Sequence, residues 1–144
     1  MVRSTSWAML TTRTEQVVVR EQHDIVNVRQ VVRSWSIALG FGLVDLTKLV
    51  TAASEIARNT VEYGGGGTLQ IEELRDGLRQ GVRLVFEDQG PGIADIERAM
   101  TDGYTTGTGM GLGLGGTKRL VDEFDISSTR GAGTRVAITK WKRR

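Results

Sequence analysis

Glycine is gathered in two stretches of this chain, Gly64 to Gly67 and a longer one between Gly103 and Gly116, and any regular structure has to be arranged around them. A residue without a Cβ enters backbone conformations that others avoid, and it lets a ligand or a second segment come close to the main chain. There are 19 glycines against a single proline in 144 residues, mostly in those two stretches, so they mark local devices and not low complexity throughout. A chain of this length fits one domain with a real core and a pocket.

Hydrophobic content of 39% and charged content of 25% are those of an ordinary globular protein. The absence of cysteine excludes a disulfide framework and thiolate metal sites. No apolar run approaches the ~20 residues of a membrane span, and the N-terminus lacks the apolar core of a secretory signal, so a cytoplasmic location is expected. The charge is unevenly placed. Arg3 and Arg13 lie in the first 13 residues, and Arg130, Arg135, Lys140, Lys142, Arg143 and Arg144 lie in the last 15, with no acid in either segment. Between them 11 basic groups face 17 acids, so the basic pI belongs to the ends. No aromatic-interleaved basic face accompanies the tail, which reads as a solubilising terminus sooner than a nucleic-acid contact.

Residues 1–13 lack periodicity and are expected to form a flexible extension to a domain of residues 14–144. Val17-Val18-Val19 predicts a strand over Glu15 to Arg20. Asp24 is a plausible N-cap for a helix with apolar residues at Ile25, Val28, Val31, Val32 and Trp35, ended by Gly40 and Gly42. Asp45 can cap the next helix, which runs to about Glu62. Gly64 to Gly67 reads as a loop, followed by strands near Thr68–Arg75 and Val82–Glu87 joined through Asp76-Gly77 and Gly81. A short helix over Ile93 to Met100, a glycine-rich connection and a helix over Leu114 to Phe124 come next. A hairpin of Asp125–Thr129 and Thr134–Trp141 closes the chain. The order β-α-α-β-β-α-α-β-β predicts an α+β two-layer sandwich on a mixed, mainly antiparallel sheet.

The long glycine run invites two misreadings. Gly111 and Gly116 have P-loop separation, but Thr117 stands where that motif needs lysine, and Lys118 comes one residue late. Gly111-Leu112-Gly113-Leu114-Gly115-Gly116 matches a bare dinucleotide fingerprint, yet no strand precedes it and no βαβ unit encloses it.

Two further segments give the run a better context. Glu55 and Asn59, four apart, share one helix face. An amide oxygen can coordinate Mg²⁺ that also bridges phosphates, and a carboxylate one turn away can take a proton from an attacking hydroxyl. A polar face in solvent would use the same residues. Asp88 ends the apolar strand Leu84-Val85-Phe86 and enters Gln89-Gly90-Pro91-Gly92. A carboxylate there can accept from an exocyclic amino group while the glycines let a flat ring approach, although an Asx-type turn has the same composition. The N–H groups of the glycine run suit a triphosphate, or belong to a linker.

Taken together, Glu-x-x-x-Asn on a helix, Asp-x-Gly-x-Gly after a strand and a Gly-x-Gly-x-Gly lid before a helix resemble the GHKL (Bergerat-fold) ATPase and kinase superfamily across roughly residues 15–141. The resemblance implies ATP and Mg²⁺ as cofactors. It implies that Asn59 is the Mg²⁺ ligand, that Asp88 contacts the adenine amino group, and that Gly90 and Gly92 shape the base pocket. It further implies a phosphate-covering lid of Gly107, Gly109, Gly111 and Gly113, a water-mediated base contact from Thr134, and Glu55 as catalytic base.

The chain has no room for the coupling domains of gyrase-like or chaperone members. His23, the single histidine, lacks the dimerising helical segment of a phosphoacceptor. Ser54-Glu55-Ile56-Ala57-Arg58-Asn59, Glu87 to Ile93, Lys118 to Phe124 and Ile138 to Trp141 are similar to the small bacterial serine kinases of partner switching, in particular the stressosome switch kinases. That resemblance implies phosphorylation of Ser or Thr on STAS-domain proteins, followed by binding and activation of a PP2C-type phosphatase. A related alternative is an anti-sigma factor that binds a sigma factor and phosphorylates its antagonist; a third is an ATP-binding switch that acts by docking alone.

Overall fold

The computed structural model describes residues 9–93, 95–100 and 113–143. Their elements follow the expected order: β1 (Met9–Val19), α1 (Gln22–Ala38), α2 (Leu43–Glu62), β2 (Gly67–Asp76), β3 (Arg79–Asp88), α3 (Ile96–Ala99), α4 (Gly113–Lys118), β4 (Glu123–Thr129) and β5 (Gly133–Trp141). The strands form one sheet in the order β1-β2-β3-β5-β4, and every described pairing is antiparallel. The parallel component allowed for by the expected mixed sheet does not occur among the described residues.

Alternation along the strands sends one set of side chains to the helices. Val17 and Val19 of β1, Leu69 and Ile71 of β2, Val82, Leu84 and Phe86 of β3, and Val136 and Ile138 of β5 are buried. They meet Ile25, Val28, Val32 and Trp35 of α1 and Leu46, Leu49, Ala53, Ile56 and Ala57 of α2, spaced three and four apart so that each helix turns one apolar stripe to the sheet. Burying each large aliphatic or aromatic side chain contributes about 1.5–3 kcal/mol, so this layer dominates the stability.

Four details depart from the expectations, each for a local reason. First, β1 begins at Met9, so residues 9–13 belong to the sheet and not to an extension. The ten-residue β2 offers its whole edge, from Gly67 opposite Val19 to Asp76 opposite Met9, with an irregularity between Thr11 and Arg13. Trp35 of α1 fastens this segment, donating Nε1–H to Glu15 at 2.7 Å while the Arg13 guanidinium lies 4.1 Å over its ring.

Second, α1 starts ahead of Asp24, whose carboxylate reaches back to accept from the Arg20 and Glu21 N–H groups at 2.9 and 3.0 Å. Those two bonds hold its carboxyl below the usual 3.8. Third, Gly42 is the N-cap of α2, and Asp45, in the first turn, instead pairs with Lys140 at 3.4 Å and Arg143 at 3.3 Å. Lys140 is only 2% exposed, and its Nζ also donates to the Leu120 carbonyl at 3.0 Å.

Fourth, α4 stops at Lys118 instead of running to Phe124. Four of its six residues are glycine or threonine, which extend helices poorly, and the chain beyond is drawn into the sheet. Asp122 N–H donates to Thr139 at 2.9 Å and the Asp122 carboxylate accepts from Trp141 N–H at 2.7 Å, so Phe124 joins β4.

Candidate nucleotide site

Where α2 runs out, four glycines carry the chain down to the sheet. The Asn59 carbonyl accepts from Tyr63 and Gly64 at 2.9 and 3.0 Å, and Gly66 N–H closes onto Thr60 at 2.8 Å. Gly65 and Gly66 sit at φ +77° and +103°, which side chains rarely tolerate, and the turn lays Gly64 against Asp88. A Cβ on Gly64 would overlap the Asp88 carboxylate, and one on Gly90 would lie 2.6 Å from the Gly64 carbonyl oxygen. Three backbone segments therefore converge on one carboxylate.

Asp88 is also the middle of a row that crosses the whole sheet. Val19 pairs with Gly67, Gly67 with Asp88, Asp88 with Thr134 and Thr134 with Ser128. Gly67 and Gly133 flank the aspartate; a Cβ on either would run into the backbone of Glu87 or Asp88. One carboxylate oxygen, Oδ1, accepts from Gly90 N–H at 2.8 Å and fixes the turn after β3. The other remains an acceptor directed at the Gly64 side.

Gly92, at φ +79°, passes so close to the Thr129 carbonyl that no side chain would fit. Ser128 ties this turn to the sheet: its Oγ accepts from Ile93 N–H at 2.6 Å and lies 2.8 Å from Thr134 Oγ1. Beside Asp88 opens a cleft of about 340 Å³ walled by Gly64 to Gly67, Arg20 and Gln89. A larger hollow of about 590 Å³ at the opposite end of the sheet is lined by groups already engaged with one another. There Arg143 pairs with Asp122 at 3.1 Å, Trp141 donates to Glu123 at 2.8 Å, and Arg79 covers the Trp141 ring at 3.9 Å.

Glu55 and Asn59 are both half-buried on α2. Arg58 Nη1 lies 3.1 Å from each oxygen of the Glu55 carboxylate. No described residue hydrogen-bonds the Asn59 carboxamide, so its oxygen is open to a cation or a water. Helix α4 packs against α2, which puts Gly113 (φ +71°), the last of the expected lid glycines, on an element in contact with the helix that carries Glu55 and Asn59. Gly107, Gly109 and Gly111 lie outside the described residues. Among the described residues no cluster of three or more His, Cys, Asp or Glu could cage a metal, and no helix is long and apolar enough to cross a membrane.

Residues 44–144, which contain all of these positions, match the family of histidine kinase-, DNA gyrase B- and HSP90-like ATPases. The chain belongs to that family. This ATPase-family chain is 46% identical over 127 residues to the serine/threonine-protein kinase RsbT of Bacillus subtilis (strain 168), covering 88% of this chain and 96% of the relative. The expected class, an ATP-using protein serine/threonine kinase, agrees with that of this relative. It is also 30% identical to the anti-sigma F factor of Thermoanaerobacter sp. (strain X514), over 78% of this chain and 82% of the other. In shape it resembles the crystal structure of the RsbU and RsbW domains of Rv1364c from Mycobacterium tuberculosis, with a TM-score of 0.65 at 22% identity. The resemblance covers 92% of this chain and 34% of that one, and supports the GHKL fold alone.

Sequence reasoning passed over several residues of this ATPase-family site. Gly64 and Gly67 read as loop residues, although four consecutive glycines after a helix are more than a turn requires. Gly133 was visible as a turn glycine without its contact to Asp88. Ser128 carried no signal, because a serine in a strand is read as solvent-facing until its neighbours are known.

Proposed function

We propose that this protein is an ATP- and Mg²⁺-dependent serine/threonine protein kinase of the partner-switching kind. It would phosphorylate a Ser or Thr on a STAS-domain protein in the cytoplasm and then bind and activate a PP2C-type phosphatase. The observation that carries the reading is the joint between α2 and Asp88, where the helix bearing Glu55 and Asn59 ends in a glycine turn packed onto the Asp88 carboxylate. One short connection thereby links a base-recognition group to the groups that would manage the phosphates.

In this reading Asp88 accepts a hydrogen bond from the adenine amino group through the oxygen not used by Gly90. Gly64, Gly90 and Gly92 let the backbone pack closely about that carboxylate and so shape the base pocket, and Thr134 reaches the base through water. Asn59 suits a Mg²⁺ ligand because its carboxamide oxygen is uncommitted among the described residues; a cation held by one amide and by phosphates needs no carboxylate cage. When bound, Mg²⁺ would neutralise phosphate charge. Gly113 and the glycines before it would cover the phosphates.

The partner's hydroxyl oxygen attacks the γ-phosphorus in line, the bond to the ADP oxygen breaks, and Glu55 takes or orients the hydroxyl proton. The chemistry depends mainly on positioning and charge neutralisation, which a domain of this size can supply. Kinship with RsbT favours this partner class, and the test is direct. The protein is incubated with ATP, Mg²⁺ and a STAS-domain protein encoded beside it, and phosphoserine and phosphothreonine are mapped by mass spectrometry. Absence of both would sink the reading.

The anti-sigma alternative is favoured by the 30% identity to anti-sigma F factors. Retention of a sigma subunit on the immobilised protein in the presence of ATP would select it.

A further inference from the structure

We propose that Arg58 is a positioning residue for phosphoryl transfer, acting through Glu55; the proposal rests on the kinase reading above. A single nitrogen, Arg58 Nη1, sits 3.1 Å from both Oε1 and Oε2, so the carboxylate forks around one guanidinium nitrogen. That contact anchors the carboxylate end of the glutamate stem and restricts where its oxygens can lie. The Glu55 side chain is 12% exposed and that of Arg58 40%, so the acid is held inside while its holder reaches it from the solvent side.

The turn that carries the pair is itself fastened. Ser54 Oγ accepts from Arg29 Nη1 of α1 at 3.2 Å, and Arg58 directly precedes Asn59 on α2. A base on a free glutamate stem samples several rotamers, and only some point at a hydroxyl bound over the γ-phosphate. Holding the carboxylate before the hydroxyl arrives removes that search from the transfer step, which is an effect on rate and not on nucleotide affinity. An ordinary surface ion pair three residues apart on a helix contributes little and would leave transfer untouched.

The experiment is a double-mutant cycle of Arg58→Ala and Glu55→Gln, with Arg58→Lys as the conservative variant. Each is assayed by single-turnover phosphorylation of the STAS partner at saturating ATP and Mg²⁺, with nucleotide affinity and thermal midpoint measured beside it. Arg58→Ala is expected to slow transfer by about tenfold or more with nucleotide affinity unchanged. It should add nothing in the Glu55→Gln background, and Arg58→Lys should recover part of the rate.

An Arg58→Ala loss of equal size in both backgrounds overturns the proposal alone, as does a loss that resides wholly in nucleotide affinity. Full activity of Glu55→Gln overturns the proposal together with the role of Glu55, and leaves the kinase reading standing. A parent protein that transfers no phosphate overturns the kinase reading and the proposal with it.

Discussion

The Asp88 carboxylate lies against Gly64 so closely that a methyl group on residue 64 would overlap its Cγ and Oδ2. The contact is between a strand end and a helix exit far apart in sequence, and it sets where the carboxylate can point. Substituting Gly64 by Ala is expected to displace the carboxylate and weaken binding of a fluorescent ATP analogue by about tenfold or more, since a hydrogen bond to a charged group contributes about 1.5–3 kcal/mol. Gly65→Ala is the control. Nothing lies within 4 Å of its Cβ position, so it carries only the left-handed backbone penalty of about 1–2 kcal/mol, seen in stability. Equal losses of affinity in the two variants would refute the contact argument.

Asp88→Asn separates recognition from folding. Its amide oxygen can still accept from Gly90 N–H, the 2.8 Å bond that shapes the turn, so the thermal midpoint should stay near that of the parent. The amide NH₂ would then face the adenine amino group, donor against donor, and ATP affinity should fall by about tenfold or more. Isothermal titration with ATP decides the point, and parent-like affinity would contradict the placement of the base.

Asp45 and Lys140 lie at the other end of the sheet, where Lys140 pairs in register with Val82, six residues of β3 away from Asp88. Asp45→Ala strips the counter-charge from a lysine whose side chain is 3% exposed, and should cost about 3 kcal/mol, or roughly 10 °C in thermal midpoint. Lys140→Met, which removes the buried charge itself, should cost less. Neither should alter ATP affinity. A larger loss for Lys140→Met than for Asp45→Ala would show that attraction outweighs desolvation in this pair.

Asp24 gives a pH-dependent signature. The backbone N–H groups of Arg20 and Glu21 hold its folded-state carboxyl below 3.8, so its contribution to stability is present above that value and is lost as pH falls through the lower folded value. The difference in thermal midpoint between the parent and Asp24→Ala should be constant near neutrality and narrow as the solution is taken below pH 3.8. A difference unchanged by acid would mean that the carboxylate charge contributes nothing at this helix start.

Most of the architecture could be read from local patterns, because each element carries its own periodicity: Leu84, Phe86 and their alternates for a strand, Leu46, Leu49, Ala53 and Ile56 for a helix. Errors arose where a distant partner decides. Residues 9–13 become a strand because β2 offers an edge, and Phe124 leaves the helix because Asp122 is claimed by Thr139 and Trp141. Asp24 and Asp45 have the chemistry of caps, and only the fold shows one bonding backward by three and four residues and the other turned to a lysine 95 positions on. In the candidate site, Glu55, Asn59, Asp88 and Thr134 could be singled out because their types and spacing resemble a family pattern. Gly64, Gly67 and Gly133 were not, because their value lies in the side chains they lack and in what would otherwise collide with them.

The backbone wall around Asp88 has a practical consequence for chemical genetics. Kinases are commonly made sensitive to an enlarged nucleotide by trimming a bulky residue that borders the base. With the base placed as proposed, its neighbours at residues 64, 67, 90 and 133 are already glycine, and there is no side chain left there to trim. A private inhibitor or an orthogonal ATP for this protein would have to be sought at the Arg20 and Gln89 walls of the cleft, along the phosphate side or across the Thr134–Ser128 edge.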